Sequence, residues 1–135
     1  MRSTPYGQYR QTQAQTASRT QLVIMLYEGV IRFCTAAEVA ARADDIEGRS
    51  GNLIKAQTIL AELAASLNHE VGGEVALNLA RLYDYCYRRL VEANVRRDPA
   101  IIAEVRGLVV ELLPAWREVA RQEQTLVGAP TSVAV

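Results

Sequence analysis

The side chains most often used for metal or thiol chemistry are few in this sequence. It contains one histidine, His69, and two cysteines, Cys34 and Cys86, which stand far apart inside apolar segments. A structural zinc site needs four closely spaced Cys or His ligands, so this inventory argues against zinc. The cysteines are expected to be reduced thiols within a core, in preference to a disulfide. No metal or other cofactor is predicted.

His69 raises the alternative of phosphotransfer, because a helical bundle with one exposed histidine can carry a phosphoryl group. That activity needs the histidine in mid-helix with a cation such as lysine nearby. Here Glu70 and the pair Gly72-Gly73 follow at once, and no lysine is close in sequence. The pattern favours a surface or capping histidine, and phosphotransfer stays as the alternative to be tested.

Other enzyme signatures are absent from the sequence. There is no phosphate-binding glycine loop, no nucleophile elbow, and no carboxylate pair spaced for acid–base work. The acidic group Asp44, Asp45 and Glu47 is expected to be a solvated loop. A protein without enzymatic activity is therefore predicted.

The amino-acid composition limits the classes of partner that the chain is expected to bind. The chain has 135 residues, 50% hydrophobic, and its 15 basic residues balance 15 acidic ones. This length suits one domain with one core. Zero formal charge gives no support to binding of nucleic acid or anionic lipid. No apolar run approaches the ~20 residues that span a bilayer, and residues 1–6 do not resemble a secretory signal, so a cytosolic protein is expected.

The histidine, cysteine and acidic residues discussed above are expected to lie on or between helices, because the apolar residues of the sequence recur with the period of an α-helix. An antiparallel up-down-up-down four-helix bundle over 18–125 is predicted, between a flexible arm at 1–17 and a flexible tail at 126–135. The predicted helices begin at Ser18, near Asn52, near Glu74 after a reversal at Gly72-Gly73, and at Asp98-Pro99.

Apolar residues on one face of each predicted helix should form the core. They are Leu22, Leu26, Gly29, Phe33, Ala36 and Ala40 in the first; Leu53, Ala56, Leu60, Leu63 and Leu67 in the second; Val75, Leu79, Leu82, Cys86, Leu90 and Ala93 in the third; Ile102, Val105, Val109, Leu112, Trp116 and Val119 in the fourth. Pro114 interrupts the last pattern, and a kink there is preferred to a break of the helix.

The first and fourth helices carry more apolar surface than one core needs, at residues 22–27 and 108–113. Such helices need cover on their outer side. The arm with Tyr6 and Tyr9, a second copy of the chain, or a partner protein could supply it. On the third helix, Tyr85 lies among arginines on the face away from the core, and tyrosine and arginine are enriched in interface anchors. An ordinary surface tyrosine is the alternative.

Nearly the whole chain beyond the first residues also resembles a known family, the flagellar export chaperones that bind flagellin (the FliS family). The matching segments are Tyr9-Arg10, Thr16-Ala17-Ser18, Gln21-Leu22, Met25 to Phe33, Leu63, Ser66-Leu67-Asn68, Gly72 to Ala76, Asn78-Leu79, Leu82-Tyr83-Asp84-Tyr85, Arg88-Arg89-Leu90, Glu92-Ala93-Asn94, Asp98, Glu104-Val105 and Ala115-Trp116.

The resemblance implies a cytosolic bundle that binds the disordered C-terminal segment of flagellin, prevents premature polymerisation and keeps it competent for secretion. It also implies docking to the flagellar export gate, and an N-terminal arm that covers the groove of the free chaperone. The partner-binding residues expected on this basis are Tyr9, Leu26, Tyr27, Asn78, Leu82, Tyr85 and Arg89. Self-association into a weak homodimer remains an alternative use of the surplus apolar surface.

Overall fold

A computed structural model describes residues 18–126 of the chain, and this part is built from four α-helices without a strand. The helices are α1 (Arg19–Arg42), α2 (Ile46–Ala65), α3 (His69–Arg96) and α4 (Pro99–Thr125). The predicted all-α class is therefore confirmed. The predicted flexible arm at 1–17 lies outside the described residues, and so does the predicted tail beyond residue 126.

Each helix begins at a side chain that accepts a hydrogen bond from an early backbone N–H. Ser18 forms a capping box with Gln21 at the start of α1, and Asp98 precedes Pro99 at the start of α4, as predicted. Asp45 caps α2, so this helix begins six residues before the predicted Asn52.

The third helix also begins earlier than predicted. Asn68 accepts a hydrogen bond from the N–H of Val71, which starts α3 at His69 instead of Glu74. The reversal expected at Gly72-Gly73 is instead a break within α3, where Gly73 has φ 52° and ψ −125°. Glycine fits here because it adopts positive φ without the steric penalty of a Cβ. The chain reverses before this point, between α2 and α3.

Contacts between helices show the antiparallel arrangement. The start of α1 meets the end of α4, where the Thr20 hydroxyl donates to Glu123 at 3.0 Å, and the end of α1 meets the start of α4 through the ion pair of Glu38 with Arg106. Each helix packs on its neighbours in sequence, and α1 with α4 closes the ring. The up-down-up-down topology follows from these pairings.

The core confirms the predicted stripe of α2 and shifts that of α1. Four of the five predicted α2 residues are buried, and Leu67 is partly buried. On α1 the residues that reach the centre are Tyr27, Val30, Cys34 and Ala37, whereas most of the predicted stripe is only partly buried. Gly29 of that stripe approaches Ile59 of α2. The predicted α1 stripe therefore faces the side of α2 and not the bundle centre.

The other two helices confirm most of their predicted stripes. Cys86, Leu90 and Ala93 are buried on α3, but Val75 is exposed, and Ala76 is buried in its place directly after the break at Gly73. Ile102, Val105, Val109 and Trp116 are buried on α4, with Leu112 and Val119 partly buried.

Helix α4 continues without interruption through Pro114, so the alternative of a broken helix is wrong. Proline lacks the N–H that would bond to the carbonyl four residues earlier, at Val110. Both residues lie on the exposed side of the helix. Water can therefore bond to that carbonyl in place of the missing N–H.

Two tyrosines meet in the centre of the bundle. The hydroxyls of Tyr27 and Tyr83 are 2.6 Å apart, and the Tyr27 ring also lies edge-on to Trp116 with centroids 6.1 Å apart. Burial raises the pKa of both tyrosines. This pair gives α1 and α3, which lie diagonally across the bundle, a polar contact within an otherwise apolar core.

The two cysteines are free and buried, as the sequence predicted. Burial raises the pKa of Cys34 to about 12 and that of Cys86 to about 11. Both therefore remain protonated near neutral pH, and a protonated thiol is a poor nucleophile and metal ligand.

Candidate partner-binding surface

The described residues contain no cluster of three or more His, Cys, Asp or Glu side chains that could hold a metal ion. His69 is the first residue of α3 and is exposed. This position at a helix start differs from the mid-helix position that phosphotransfer requires. No helix among residues 18–126 is long and apolar enough to cross a membrane.

A polar group of four hydrogen-bonded side chains lies where α3 faces α4. The Tyr85 hydroxyl donates to Oε2 of Glu104 at 2.5 Å, and Arg89 donates to Oε1 of Glu104 from Nε at 2.9 Å and from Nη2 at 2.7 Å. Arg89 also donates to Glu92 at 2.6 Å. We call Tyr85, Arg89, Glu92 and Glu104 the α3–α4 polar network.

The electrostatics of this network follow from its hydrogen bonds. The bond from Tyr85, followed by those from Arg89, lowers the pKa of Glu104. The same carboxylate raises the pKa of Tyr85 and of Arg89 by accepting from their protonated forms. At neutral pH the carboxylate is therefore ionised, and it holds both donors in one orientation.

Apolar side chains continue this surface along the two helices. Asn78, Leu82, Tyr85 and Arg89 follow one another at helical spacings of four and three, so they share one flank of α3. On α4, Leu108 and Leu112 follow Glu104 at intervals of four. The three leucines are partly buried and pack against the core. We call this surface the α3–α4 groove; its residues are Asn78, Leu82, Leu108 and Leu112 together with the α3–α4 polar network.

Four of the seven predicted site residues, Asn78, Leu82, Tyr85 and Arg89, therefore lie together on this groove. Leu26 is partly buried, and its neighbour Gly29 on the same flank of α1 approaches α2, so Leu26 lies on another side of the bundle. Tyr9 lies outside the described residues.

Tyr27, which was expected to bind a partner, does not lie on the α3–α4 groove. It is fully buried in the core, with its hydroxyl bonded to Tyr83, and does not reach the surface of the described bundle. The sequence does not predict the burial of Tyr27, because residues 22–27 are uniformly apolar and periodicity cannot identify the inner side of such a run. We therefore exclude Tyr27 from the groove.

Sequence reasoning missed the α4 side of the groove. Glu104 joins Tyr85 to Arg89. From the sequence it was placed only in the matching segment Glu104-Val105 and was not included among the partner-binding residues. The available signal was the spacing of Glu104, Leu108 and Leu112 at intervals of four, which places an acid and two leucines on one flank of a helix.

Fold and surface together define the class: an antiparallel four-helix bundle in which partly buried leucines lie beside a polar network between α3 and α4. The chain matches the family model described as "Flagellar protein FliS" over residues 2–123. It belongs to the FliS family.

Three curated relatives illustrate the match, each named "Flagellar secretion chaperone FliS". The Bacillus subtilis protein is 40% identical over 120 residues, which cover 89% of each chain. The Campylobacter jejuni protein is 42% identical over 118 residues, 87% of this chain and 92% of the relative. The Salmonella typhimurium protein is 39% identical over 105 residues, 77% and 78% of the two chains. Membership of this family supports an export-chaperone role.

Proposed function

We propose that this protein binds the disordered C-terminal segment of flagellin in the cytosol, prevents its premature polymerisation and keeps it competent for secretion through the flagellar export gate. The family match and the names of the relatives support the chaperone part of this proposal. The single structural observation that carries the choice of surface is the α3–α4 groove, where partly exposed leucines lie beside an ordered polar network.

The groove has the chemistry that an amphipathic segment requires. Leu82, Leu108 and Leu112 offer apolar contact to side chains spaced along short helices of the cargo. Tyr85 and Arg89 lie beside the leucines as hydrogen-bonding groups already held by Glu104. Because these donors are ordered before binding, less side-chain freedom is lost when cargo binds.

Binding of a disordered segment costs part of the interaction free energy, since the segment must become ordered. A long contact surface offsets this cost, and the groove extends along α3 from Asn78 to Arg89. Asn78 is exposed and can donate and accept hydrogen bonds at the far end of the groove. Cargo bound in this way has its apolar side covered and is unavailable for polymerisation.

The test uses the full chain and the C-terminal ~40 residues of the flagellin from the same organism, a length that covers two helices of ~30 Å. We expect calorimetric titration to give a dissociation constant in the micromolar range or tighter, and Tyr85→Ala to weaken binding about 10-fold, or ~1.4 kcal/mol. No binding by the wild-type chain would contradict the proposal.

Tyr87→Ala is the matched control for this experiment. Tyr85 and Tyr87 lie on the same helix and are 38% and 39% exposed, but only Tyr85 faces α4. We expect Tyr87→Ala to leave flagellin affinity unchanged. If Tyr87→Ala weakened flagellin binding and Tyr85→Ala did not, the proposal of flagellin binding would stand. The cargo site would then lie on the opposite side of α3.

A further inference from the structure

A pair of cations lies where α1 faces α2, on the side of the bundle opposite the α3–α4 groove. The guanidinium carbon of Arg32 on α1 lies 5.0 Å from the centroid of the Phe33 ring, and the ammonium of Lys55 on α2 lies 5.4 Å from the same centroid. Both distances allow a cation–π contact. We call Arg32, Phe33 and Lys55 the α1–α2 cation site.

The α1–α2 cation site is open to solvent. Arg32 and Lys55 are exposed, and Phe33 is partly buried. The Arg32 guanidinium also lies near Gly29, where a Cβ would stand 3.9 Å from one of its nitrogens. Gly29 itself approaches Ile59 of α2. Because Gly29 has no side chain, the guanidinium has room on the side of α1 that faces α2.

Neither cation of this site has a carboxylate partner on its own helix. Glu28 precedes Arg32 by one turn, a spacing at which glutamate and arginine can pair, but Glu28 accepts from Arg117 of α4 at 3.1 Å instead. No Asp or Glu lies three or four residues from Lys55. Within residues 18–126, neither Arg32 nor Lys55 forms an ion pair.

The rest of the chain has no acidic side chain that could neutralise this site. All 15 Asp and Glu residues lie between positions 18 and 126, and the segments 1–17 and 127–135 contain none. Two like charges beside one ring repel each other, and an anion between or beside them removes that cost. The counter-charge that the site lacks therefore fits an acidic group from another molecule.

The charges around the site limit the size of its ligand. Glu62 follows Lys55 by seven residues and so lies on the same flank of α2, about 10 Å along the helix at 1.5 Å per residue. In the other direction, the start of α2 and the turn before it carry Asp44, Asp45 and Glu47. A long acidic run would meet these carboxylates, whereas two neighbouring acidic side chains would not.

The position of the cations favours carboxylates over a phosphate group. Phosphate sites commonly use free backbone N–H groups at a helix N-terminus. Arg32 and Lys55 lie within their helices, where backbone N–H groups bond to carbonyls of the same helix. Only side chains are available, and two cations on two helices match two separate carboxylates. Phe33 and Ile59 are partly buried and offer apolar contact beside them.

We propose that the α1–α2 cation site binds a short acidic segment of a partner protein, in which two Asp or Glu residues flank an apolar residue. One carboxylate accepts from the Arg32 guanidinium, the other pairs with the Lys55 ammonium, and the apolar side chain packs on Phe33. Because the site lies opposite the α3–α4 groove, a partner bound there leaves that groove free.

The test uses the full chain with 4-fluorophenylalanine in place of phenylalanine. Phe33 is the only phenylalanine, so fluorine NMR gives one signal, located at the site. The probe is a capped peptide with a central Glu-Leu-Glu and lysine on both sides, and its control has Gln-Leu-Gln. We expect the acidic peptide to shift the signal with a dissociation constant of about 1 mM or tighter, and the control to bind at least about 10-fold more weakly. Equal responses, or none, would overturn the proposal.

Two double variants with the same change in net charge locate the site. Arg32→Gln with Lys55→Gln should weaken binding of the acidic peptide at least about 10-fold. Arg81→Gln with Arg88→Gln removes two exposed cations of α3 and should leave the affinity unchanged. All four residues are exposed, so both variants should fold, which circular dichroism checks. Equal weakening by the two variants would mean that only net charge matters and would overturn the proposal.

A conservative substitution separates the charge of Lys55 from its packing on the ring. Lys55→Arg keeps a cation that can reach both Phe33 and a carboxylate, so it should retain the affinity of the wild-type chain for the acidic peptide. Lys55→Gln keeps most of the aliphatic stem but loses the charge, and it should bind about 3-fold more weakly, as expected for one exposed ion pair. Equal affinities of these two variants would overturn the role of the Lys55 charge.

Inorganic phosphate is the competing ligand, and the same fluorine signal distinguishes it. We expect phosphate to bind at least about 5-fold more weakly than the acidic peptide. Phosphate binding as tight as that of the peptide would make this a phosphate site and overturn the proposal. All of these measurements use the free chain and small ligands, and Tyr85→Ala should not alter them. Their outcome therefore does not depend on whether flagellin binds the α3–α4 groove.

Discussion

Two tyrosines of α3, only two residues apart, place the same hydroxyl group in opposite environments. The Tyr83 hydroxyl is buried 2.6 Å from that of Tyr27 in the bundle centre. The Tyr85 hydroxyl lies at the surface, 2.5 Å from a carboxylate oxygen of Glu104. The hydrogen-bond lengths are nearly equal, yet the consequences of losing each bond are expected to differ because water reaches only the second.

The difference in burial between these two hydroxyls shows that one helix can carry a side chain needed for stability and, two residues away, another that is free to contact a partner. A buried polar group without a partner retains its full desolvation cost, whereas an exposed one can bond to water. The pKa of Tyr83 is raised chiefly by burial, while that of Tyr85 is raised chiefly by its bond to Glu104. Tyr83 therefore belongs to the fold, and Tyr85 is available to a partner at small cost to the fold.

The largest expected effect comes from removing the buried ring of Tyr83. Tyr83→Ala should lower the free energy of unfolding by ~3–5 kcal/mol, as large aromatic truncations in a core do. Tyr85→Ala should lower the melting temperature by about 2 °C or less, because its side chain lies outside the core. Urea and thermal unfolding followed by circular dichroism measure both. Similar losses for the two variants would break the comparison.

A smaller effect is expected when only the buried hydroxyl is removed. Tyr83→Phe breaks the bond between the two buried hydroxyls and should cost ~1–3 kcal/mol of unfolding free energy. The Tyr27 hydroxyl keeps its hydrogen bond with Trp116 in that variant, so adding Tyr27→Phe removes a second buried bond and should lower stability further. A double variant more stable than Tyr83→Phe alone would contradict this account of the buried pair.

The smallest effect concerns the pH dependence of the surface bond. Because the folded-state pKa of Glu104 lies below its ordinary 4.5, its contribution to stability is present above that value and is lost as pH falls through the folded pKa. NMR titration of the Glu104 carboxyl should show a higher midpoint in Tyr85→Phe than in the wild-type chain. An unchanged midpoint would mean that the Tyr85 hydroxyl does not stabilise the carboxylate.

Features set by local rules could be predicted from the sequence. The capping box at Ser18, the start of α4 at Asp98-Pro99 and the buried stripe of α2 follow from residue types at fixed spacing, and the structure confirms them. The boundary between α2 and α3 could not be predicted in the same way. Gly72-Gly73 permits either a reversal or a break inside a helix, and the cap at Asn68 favours the break.

The site was only partly predictable for a similar reason. The period of α3 brings Asn78, Leu82, Tyr85 and Arg89 to one flank whatever the helix packs against. The direction of the Tyr27 side chain depends on tertiary structure. The apolar run around it is compatible with any orientation of the helix, and the hydrogen bond to the Tyr83 hydroxyl favours the inward orientation. Glu104 likewise acquires its role only when α4 lies beside α3.

The aromatic contact at the centre of the bundle has an optical consequence. Trp116 is the only tryptophan in the chain, is almost fully buried, and its ring centroid lies 6.1 Å from that of Tyr27. Indole emission should therefore be blue-shifted, with Tyr27 close enough to transfer excitation to it. The protein thus carries an intrinsic fluorophore that reports on the integrity of its interior.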